Sequence, residues 1–85
     1  MPNDVVSTVR SLLKSKEYQL CIDVSTVALS THPDLKIFCN RGIAYAKIGE
    51  YVLAIQDFTT ILDKVKRNFA IHAMPYYAMI RMHQT

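Results

Sequence analysis

The chain has 85 residues, of which 51% are apolar, 20% are charged and two are glycine. This composition excludes a disordered chain and predicts one packed helical domain. No run approaches the roughly 20 apolar residues of a membrane-spanning helix, and the start, Met1-Pro2-Asn3-Asp4, lacks the basic and apolar regions of a signal peptide. We therefore expect a cytoplasmic protein in a reducing environment.

The cysteines and histidines predict no metal site and no cofactor. Cys21 and Cys39 form neither a dense disulfide framework nor a Cys-x-x-Cys pair. A buried free thiol is the expected role of Cys21, with a structural disulfide as the alternative. His32, His72 and His83 have no spacing that would place two of them on one helix face beside a cysteine, as a zinc site with about four ligands requires.

The N-terminal part of the chain predicts two helices. Helix one is expected at about 4–15, with Asn3 or Asp4 as its N-cap. Helix two is expected at about 17–30, and its β-branched residues follow helical spacing. The apolar residues that define these two faces are Val5, Val6, Val9, Leu12, Leu13, Leu20, Cys21, Val24, Val27 and Ala28.

The central part predicts two more helices, at about 35–47 and 51–66. Pro33 ends helix two because it cannot continue the helical hydrogen-bond ladder, and Asp34 can cap helix three. Gly49 stands where a left-handed residue would close helix three.

The C-terminal part predicts a fifth helix over roughly 68–83, bent or started at Pro75. Its sequence is apolar almost all round, which is typical of a helix wedged between others or of one that binds a partner. No Gly or Pro separates Lys64 from Ala73, so helix four could also continue past its expected end.

The chain also contains an internal repeat of 33 residues. When Lys14–Leu29 is aligned with Lys47–Leu62, seven of the sixteen positions are identical. Cys21 aligns with Ala54, so a small residue recurs at the same place. A repeat of this length predicts stacked pairs of antiparallel helices, each pair covering the apolar face of the next.

Residues 35–67 resemble a tetratricopeptide repeat (TPR). Seven residues stand at that motif's signature spacing: Phe38, Gly42, Tyr45, Gly49, Tyr51, Ala54 and Phe58. Residues 2–34 resemble a degenerate repeat, and 68–85 resemble a capping or partner-binding helix. The resemblance implies a single all-α domain over 1–85, a short right-handed α-solenoid of antiparallel helix-turn-helix repeats with about five helices. Gly42 and Ala54 would lie where the paired helices cross, with the large aromatic residues around them.

The resemblance also implies a scaffold that binds another protein, because members of the family mostly bind a peptide or helix in a groove lined by the first helix of each pair. Six residues map to that groove: Arg10, Lys14, Lys36, Asn40, Ile43 and Lys47. Their cations predict an acidic peptide or helix as partner. The alternative is that they are solvated lysines at helix ends. The last helix offers a second surface for a partner or a like subunit, through Phe69, Tyr76, Tyr77 and Met79.

Co-chaperones within this family suggest a narrower function, the binding of a C-terminal carboxylate. Asn40 matches the clamp asparagine of such proteins, but Val6, Arg10, Ala70 and Met74 stand where Lys, Asn, Lys and Arg are expected. One match in five is too few to predict this function.

Two other classes are weighed against protein binding. The C-terminal segment could contact nucleic acid or another anionic surface, since its cations lie beside aromatic residues: Lys64, Lys66, Arg67, Phe69, Tyr76 and Tyr77. An enzyme is not predicted, because no catalytic set stands out. Asp23 and Asp57, expected to be exposed on separate helices, do not make an acid–base pair.

Overall fold

The computed structural model describes residues 4–72, with side chains for residues 4–67. This part of the chain is all-helical and contains four helices: α1 (Val5–Lys14), α2 (Tyr18–Thr31), α3 (Leu35–Lys47) and α4 (Tyr51–His72). No strand occurs within these residues. The predicted all-α class is therefore confirmed, and the first three helices begin and end within one residue of their predicted bounds.

Two of the helices begin at the aspartates that the sequence singled out as caps. Asp4 Oδ1 accepts a hydrogen bond from the Val6 amide at 3.2 Å, and Asp34 Oδ1 accepts one from the Lys36 amide at 2.8 Å. Each bond satisfies an amide that has no partner within its own helix. The residue before α2, Glu17, makes no such side-chain bond.

The turn between α1 and α2 has the same geometry as the turn between α3 and α4. Each contains one residue with a left-handed backbone, Lys16 with φ 63° and Gly49 with φ 86°. The Glu17 amide donates to the Leu12 carbonyl, and 33 residues later the Glu50 amide donates to the Tyr45 carbonyl. The repeat in the sequence thus corresponds to a repeat in backbone conformation at these turns.

The buried core lies where α1, α2 and α3 meet. Val9, Cys21, Ile22 and Ala44 form one buried cluster, with Tyr45 and apolar residues of α1 and α2 packed around it. Each helix packs against its neighbours in the chain, and α1 also packs against α3. Within residues 4–72, α3 is the one helix that contacts all three others.

The contact between α3 and α4 confirms the predicted close approach at Gly42. A Cβ atom added to Gly42 would lie 2.8 Å from Phe58 Cε1, which is closer than carbon atoms approach without displacement. Ala54 is also buried. Tyr51 was expected beside this crossing, but it is 65% exposed because it stands at the first position of α4, on a side that α3 does not cover.

The C-terminal boundary of α4 differs from the prediction. The sequence predicted an end near 66 and a new helix from about 68, whereas α4 continues without interruption to His72. The physical reason is the absence of Gly and Pro between Lys64 and Ala73, so no residue there disfavours helical geometry. The remainder of the predicted fifth helix, including Pro75, lies outside the described residues.

Candidate functional site

The six residues predicted to line a groove lie on two helices that pack against each other, α1 and α3. Residues 36, 40, 43 and 47 share one side of α3, because their spacing of four, three and four matches the helical repeat. Residues 10 and 14 are likewise one turn apart on α1. We call this set the α1–α3 face: Arg10, Lys14, Lys36, Asn40, Ile43 and Lys47.

The α1–α3 face combines exposed cations with a half-buried centre. Arg10, Lys14, Lys36 and Lys47 are exposed, whereas Asn40 and Ile43 are half-buried on α3. Between Val5 and Lys14, and again between Leu35 and Lys47, the sequence contains no acidic residue. The two aspartates nearest to the face, Asp4 and Asp34, cap the N-termini of these helices. Positive charge is therefore concentrated on the two helices that form this face.

Lys14 and Lys47 have a local role that requires no ligand. Each stands in the last turn of its helix, where a cation interacts favourably with the partial negative charge of the unpaired carbonyl groups. Lys36 and Arg10 lie outside a last turn, so this explanation covers only half of the cations on the α1–α3 face.

Arg41 forms a buried polar network that links three helices and that sequence reasoning missed. Its Nη2 donates to Asp57 Oδ1 at 2.6 Å and its Nε donates to Asp57 Oδ2 at 2.9 Å, while its Nη1 donates to Thr26 Oγ1 at 3.1 Å. The guanidinium also lies 5.6 Å from the ring centre of Phe38 and 5.5 Å from that of Tyr45. The two-point ion pair fixes α4 against α3, and the threonine extends the contact to α2.

The environment of this pair explains its strength. The Asp57 side chain is 4% exposed and that of Arg41 is 17% exposed, so water competes little for either group. The hydrogen bonds from Asp57 raise the pKa of Arg41, while partial burial acts in the opposite direction. The expectation that Asp57 is exposed was therefore wrong. Its position three residues after the inward-facing Ala54 was the available signal, since both lie on the same side of α4.

The two cysteines are free thiols, and they differ in exposure. Cys21 is fully buried and its Sγ donates to the Val9 carbonyl oxygen at 3.6 Å, whereas Cys39 is half-buried. Burial raises the pKa of the Cys21 thiol, which makes it a poor nucleophile at neutral pH. The predicted role of Cys21 as a buried free thiol is confirmed.

A second surface feature lies at the opposite side of α1. An open apolar depression of about 350 Å³ is lined by Val5 of α1 and by Asp23, Val24, Val27 and Ala28 of α2. No residue of the α1–α3 face lines it. Val27 is 72% exposed there, contrary to its expected place on the inward face of α2.

The predicted C-terminal binding residues stand mostly outside the described part of the chain. Phe69 belongs to α4, and Tyr76, Tyr77 and Met79 lie outside the described residues. Within residues 4–72, no three His, Cys, Asp or Glu side chains are grouped so that they could hold a metal ion. No described helix combines the length and the apolar character needed to cross a membrane.

Comparison with known proteins identifies no relative: the chain matches no protein-family model, no curated protein and no solved structure.

Proposed function

We propose that the protein is a TPR-like interaction module that binds an acidic segment of another protein on the α1–α3 face. The observation that carries the proposal is the distribution of charge. Four exposed cations lie on two helices that pack together, and neither helix contains an acidic residue. Such a surface attracts negative charge over several ångströms.

The arrangement of the helices supports the same proposal. Three-residue connections between consecutive helices favour antiparallel neighbours, so α1 and α3 run in the same direction. Their last turns then lie at one end of the pair, which brings Lys14 and Lys47 to that end. Asn40 and Ile43 lie half-buried between the charged positions of α3 and provide a hydrogen-bonding group and an apolar contact. A short peptide with acidic and apolar side chains fits this combination.

Fluorescence anisotropy with two labelled ten-residue peptides tests this function. One peptide carries four Asp or Glu residues and two Leu; the other carries Lys in place of each acid. We expect the acidic peptide alone to bind, and its affinity to fall as salt is raised. Binding of both peptides, or of neither, would contradict the proposal.

A matched pair of triple variants locates the binding surface. Arg10→Glu/Lys14→Glu/Lys47→Glu reverses three charges on the α1–α3 face, and Lys64→Glu/Lys66→Glu/Arg67→Glu reverses three exposed charges on α4. The net charge changes equally in both variants, so a loss of at least tenfold in affinity for the first alone supports the proposal. Equal losses would show attraction to the overall charge.

Amidation of the peptide's C-terminus separates the proposal from carboxylate clamping. Because the proposed contacts are made to acidic side chains, the free and amidated peptides should bind with similar affinity. A strong preference for the free carboxylate would favour the clamp, in which Asn40 is the matching residue.

A further inference from the structure

The side of α4 next to its contact with α3 carries a continuous apolar stripe. We call these five residues the α4 stripe: Tyr51, Ile55, Phe58, Leu62 and Val65. They are 65%, 61%, 36%, 61% and 50% exposed, respectively. Isolated exposed apolar residues are ordinary on a protein surface, but a contiguous set of this size marks an interaction surface.

The internal repeat shows what covers the corresponding side of α2. Tyr18, Ile22 and Leu29 stand 33 residues before Tyr51, Ile55 and Leu62 and are identical to them. Ile22 is 5% exposed, and Tyr18 and Leu29 are half-buried. The helix that follows in the chain, α3, packs against α2. The same apolar pattern is therefore buried on α2 and exposed on α4.

The length of α4 prevents the chain from repeating that arrangement at the same register. α2 ends at Thr31 and α3 begins at Leu35, positions that correspond to residues 64 and 68. Residues 68–72, which correspond to the first turn of α3, remain part of α4. They continue along the helix axis, so they do not turn back over the stripe.

The spacing of the α4 stripe identifies the kind of occupant. Its members are separated by four, three, four and three residues, the pattern by which two helices pair along a seam. An α3-type helix is not needed for such a seam, since an identical stripe supplies the same alternation. We propose that the α4 stripe pairs with the α4 stripe of a second copy of this chain.

The charges on α4 indicate that the two helices are antiparallel. Lys64, Lys66 and Arg67 lie near one end of the stripe, and Glu50 lies just before the other. A parallel pair would place the two basic ends side by side, whereas an antiparallel pair brings each basic end to the partner's Glu50. In this arrangement Tyr51 lies opposite Leu62 of the partner, and Ile55 lies opposite Phe58.

The area available predicts a weak dimer. Five large side chains cover on the order of 500 Å² on each protomer, below the size of a standard stable interface. We therefore expect dissociation in the micromolar range, which is accessible to sedimentation equilibrium of the full chain between about 5 and 500 µM.

Single substitutions on two exposed positions test the interface. Ile55→Glu should reduce association at least tenfold. Val27→Glu, on an equally exposed residue of α2 outside the stripe, should leave association unchanged. Circular dichroism checks that both variants stay helical, and Leu62→Glu provides a second test if Ile55→Glu unfolds. A wild-type monomer at all concentrations, or a dimer that Ile55→Glu and Leu62→Glu do not weaken, would overturn the proposal.

Cysteine cross-linking tests the orientation in a Cys39→Ser background that retains the buried Cys21. Under mild oxidation, an equal mixture of Tyr51→Cys and Leu62→Cys chains should form a cross-linked heterodimer, while each variant alone should cross-link at least fivefold less. Efficient cross-linking of Tyr51→Cys with itself would show parallel helices and overturn the proposed antiparallel arrangement.

Discussion

At the scale of single residues, Arg41 is the side chain on which the packing of the central helices depends most. It contacts Thr26 on α2 and Asp57 on α4 while its guanidinium lies near two aromatic rings of its own helix. The rings restrict the guanidinium before a partner arrives, which lowers the entropy cost of the ion pair. No other described side chain makes polar contacts to two other helices.

Removing Asp57 should leave Arg41 with an unpaired, partly buried charge. We expect Asp57→Ala to lower the free energy of unfolding by roughly 2–4 kcal/mol, somewhat below the full penalty for a buried pair because Arg41 retains contact with water. Urea denaturation followed by circular dichroism measures this loss. Asp63→Ala, at an exposed position of the same helix, should change stability by about 0.5 kcal/mol or less; equal effects of the two variants would contradict the role of the pair.

The two left-handed turn residues should respond to substitution in opposite directions. Lys16 has φ 63° and bears a Cβ that disfavours this conformation, so Lys16→Gly should stabilise the protein by about 0.5–1 kcal/mol. Gly49 has φ 86° and no neighbouring atom within 4 Å of an added Cβ, so Gly49→Ala should cost about 1 kcal/mol through backbone strain alone. Thermal unfolding of both variants measures these shifts; destabilisation by Lys16→Gly would refute the argument.

The cap of α1 should depend on pH. The hydrogen bond from Ser7, with the amides of the first turn, holds the pKa of Asp4 below its ordinary value of 3.8. Since the pKa is depressed in the folded state, the stabilisation from this carboxylate is complete above pH 3.8 and is lost as the pH falls through the folded-state pKa.

Amide hydrogen exchange of the first turn of α1 between pH 5 and pH 2.5, corrected for the intrinsic rate at each pH, measures this effect. Protection should fall with pH in the wild type. In Asp4→Asn, whose amide oxygen caps the helix without titrating, protection should stay nearly constant. The same fall in both proteins would show that Asp4 is not responsible.

At this scale, the sequence predicted the residues whose role is local and missed those whose role is tertiary. Asp34 and Gly49 could be assigned because a cap or a left-handed turn depends on a few neighbouring residues. Arg41 and Asp57 are 16 residues apart in the chain, and only the packing of α3 on α4 brings them together. Tyr51 and Val27 were misplaced for the same reason, because helical periodicity alone does not say which side of a helix a neighbour will cover.

At the scale of helices, the contact between α3 and α4 depends on the absence of a side chain at Gly42. Gly42→Leu should force the Phe58 ring away and lower stability by about 1–3 kcal/mol. Phe58→Ala should remove most of this penalty when the two are combined. Denaturation of the two single variants and the double variant gives the coupling energy; additive effects would show that Gly42 does not contact Phe58 in solution.

The helix boundaries show where local signals are sufficient. α1, α2 and α3 end at turns with a left-handed residue or at Pro33, and their bounds agree with the sequence within one residue. The end of α4 lacks such a signal, and the prediction there was wrong. The α1–α3 face was predicted as a set, and the structure places its cations exposed on two packed helices. Whether it binds a peptide depends on a partner that the sequence does not contain.

At the scale of the whole molecule, stability should be graded along the order of the helices. α3 contacts all other described helices, whereas α4 packs on α3 alone among them and α1 lies at the other end. Amide exchange in the wild type should therefore be slowest near the buried residues of α2 and α3 and fastest at the first turn of α1 and the last turns of α4. Uniform protection across the four helices would contradict this graded order.

The pairing of Arg41 with Asp57 also distinguishes the correct assembly from an alternative in which α2 and α4 exchange places. These helices share much of their sequence, so an exchanged arrangement would satisfy many of the same apolar contacts. Val24 is the residue of α2 that corresponds to Asp57, and it would leave the guanidinium without a counter-charge. One ion pair thus gives a chain of similar segments a means of proofreading its own assembly.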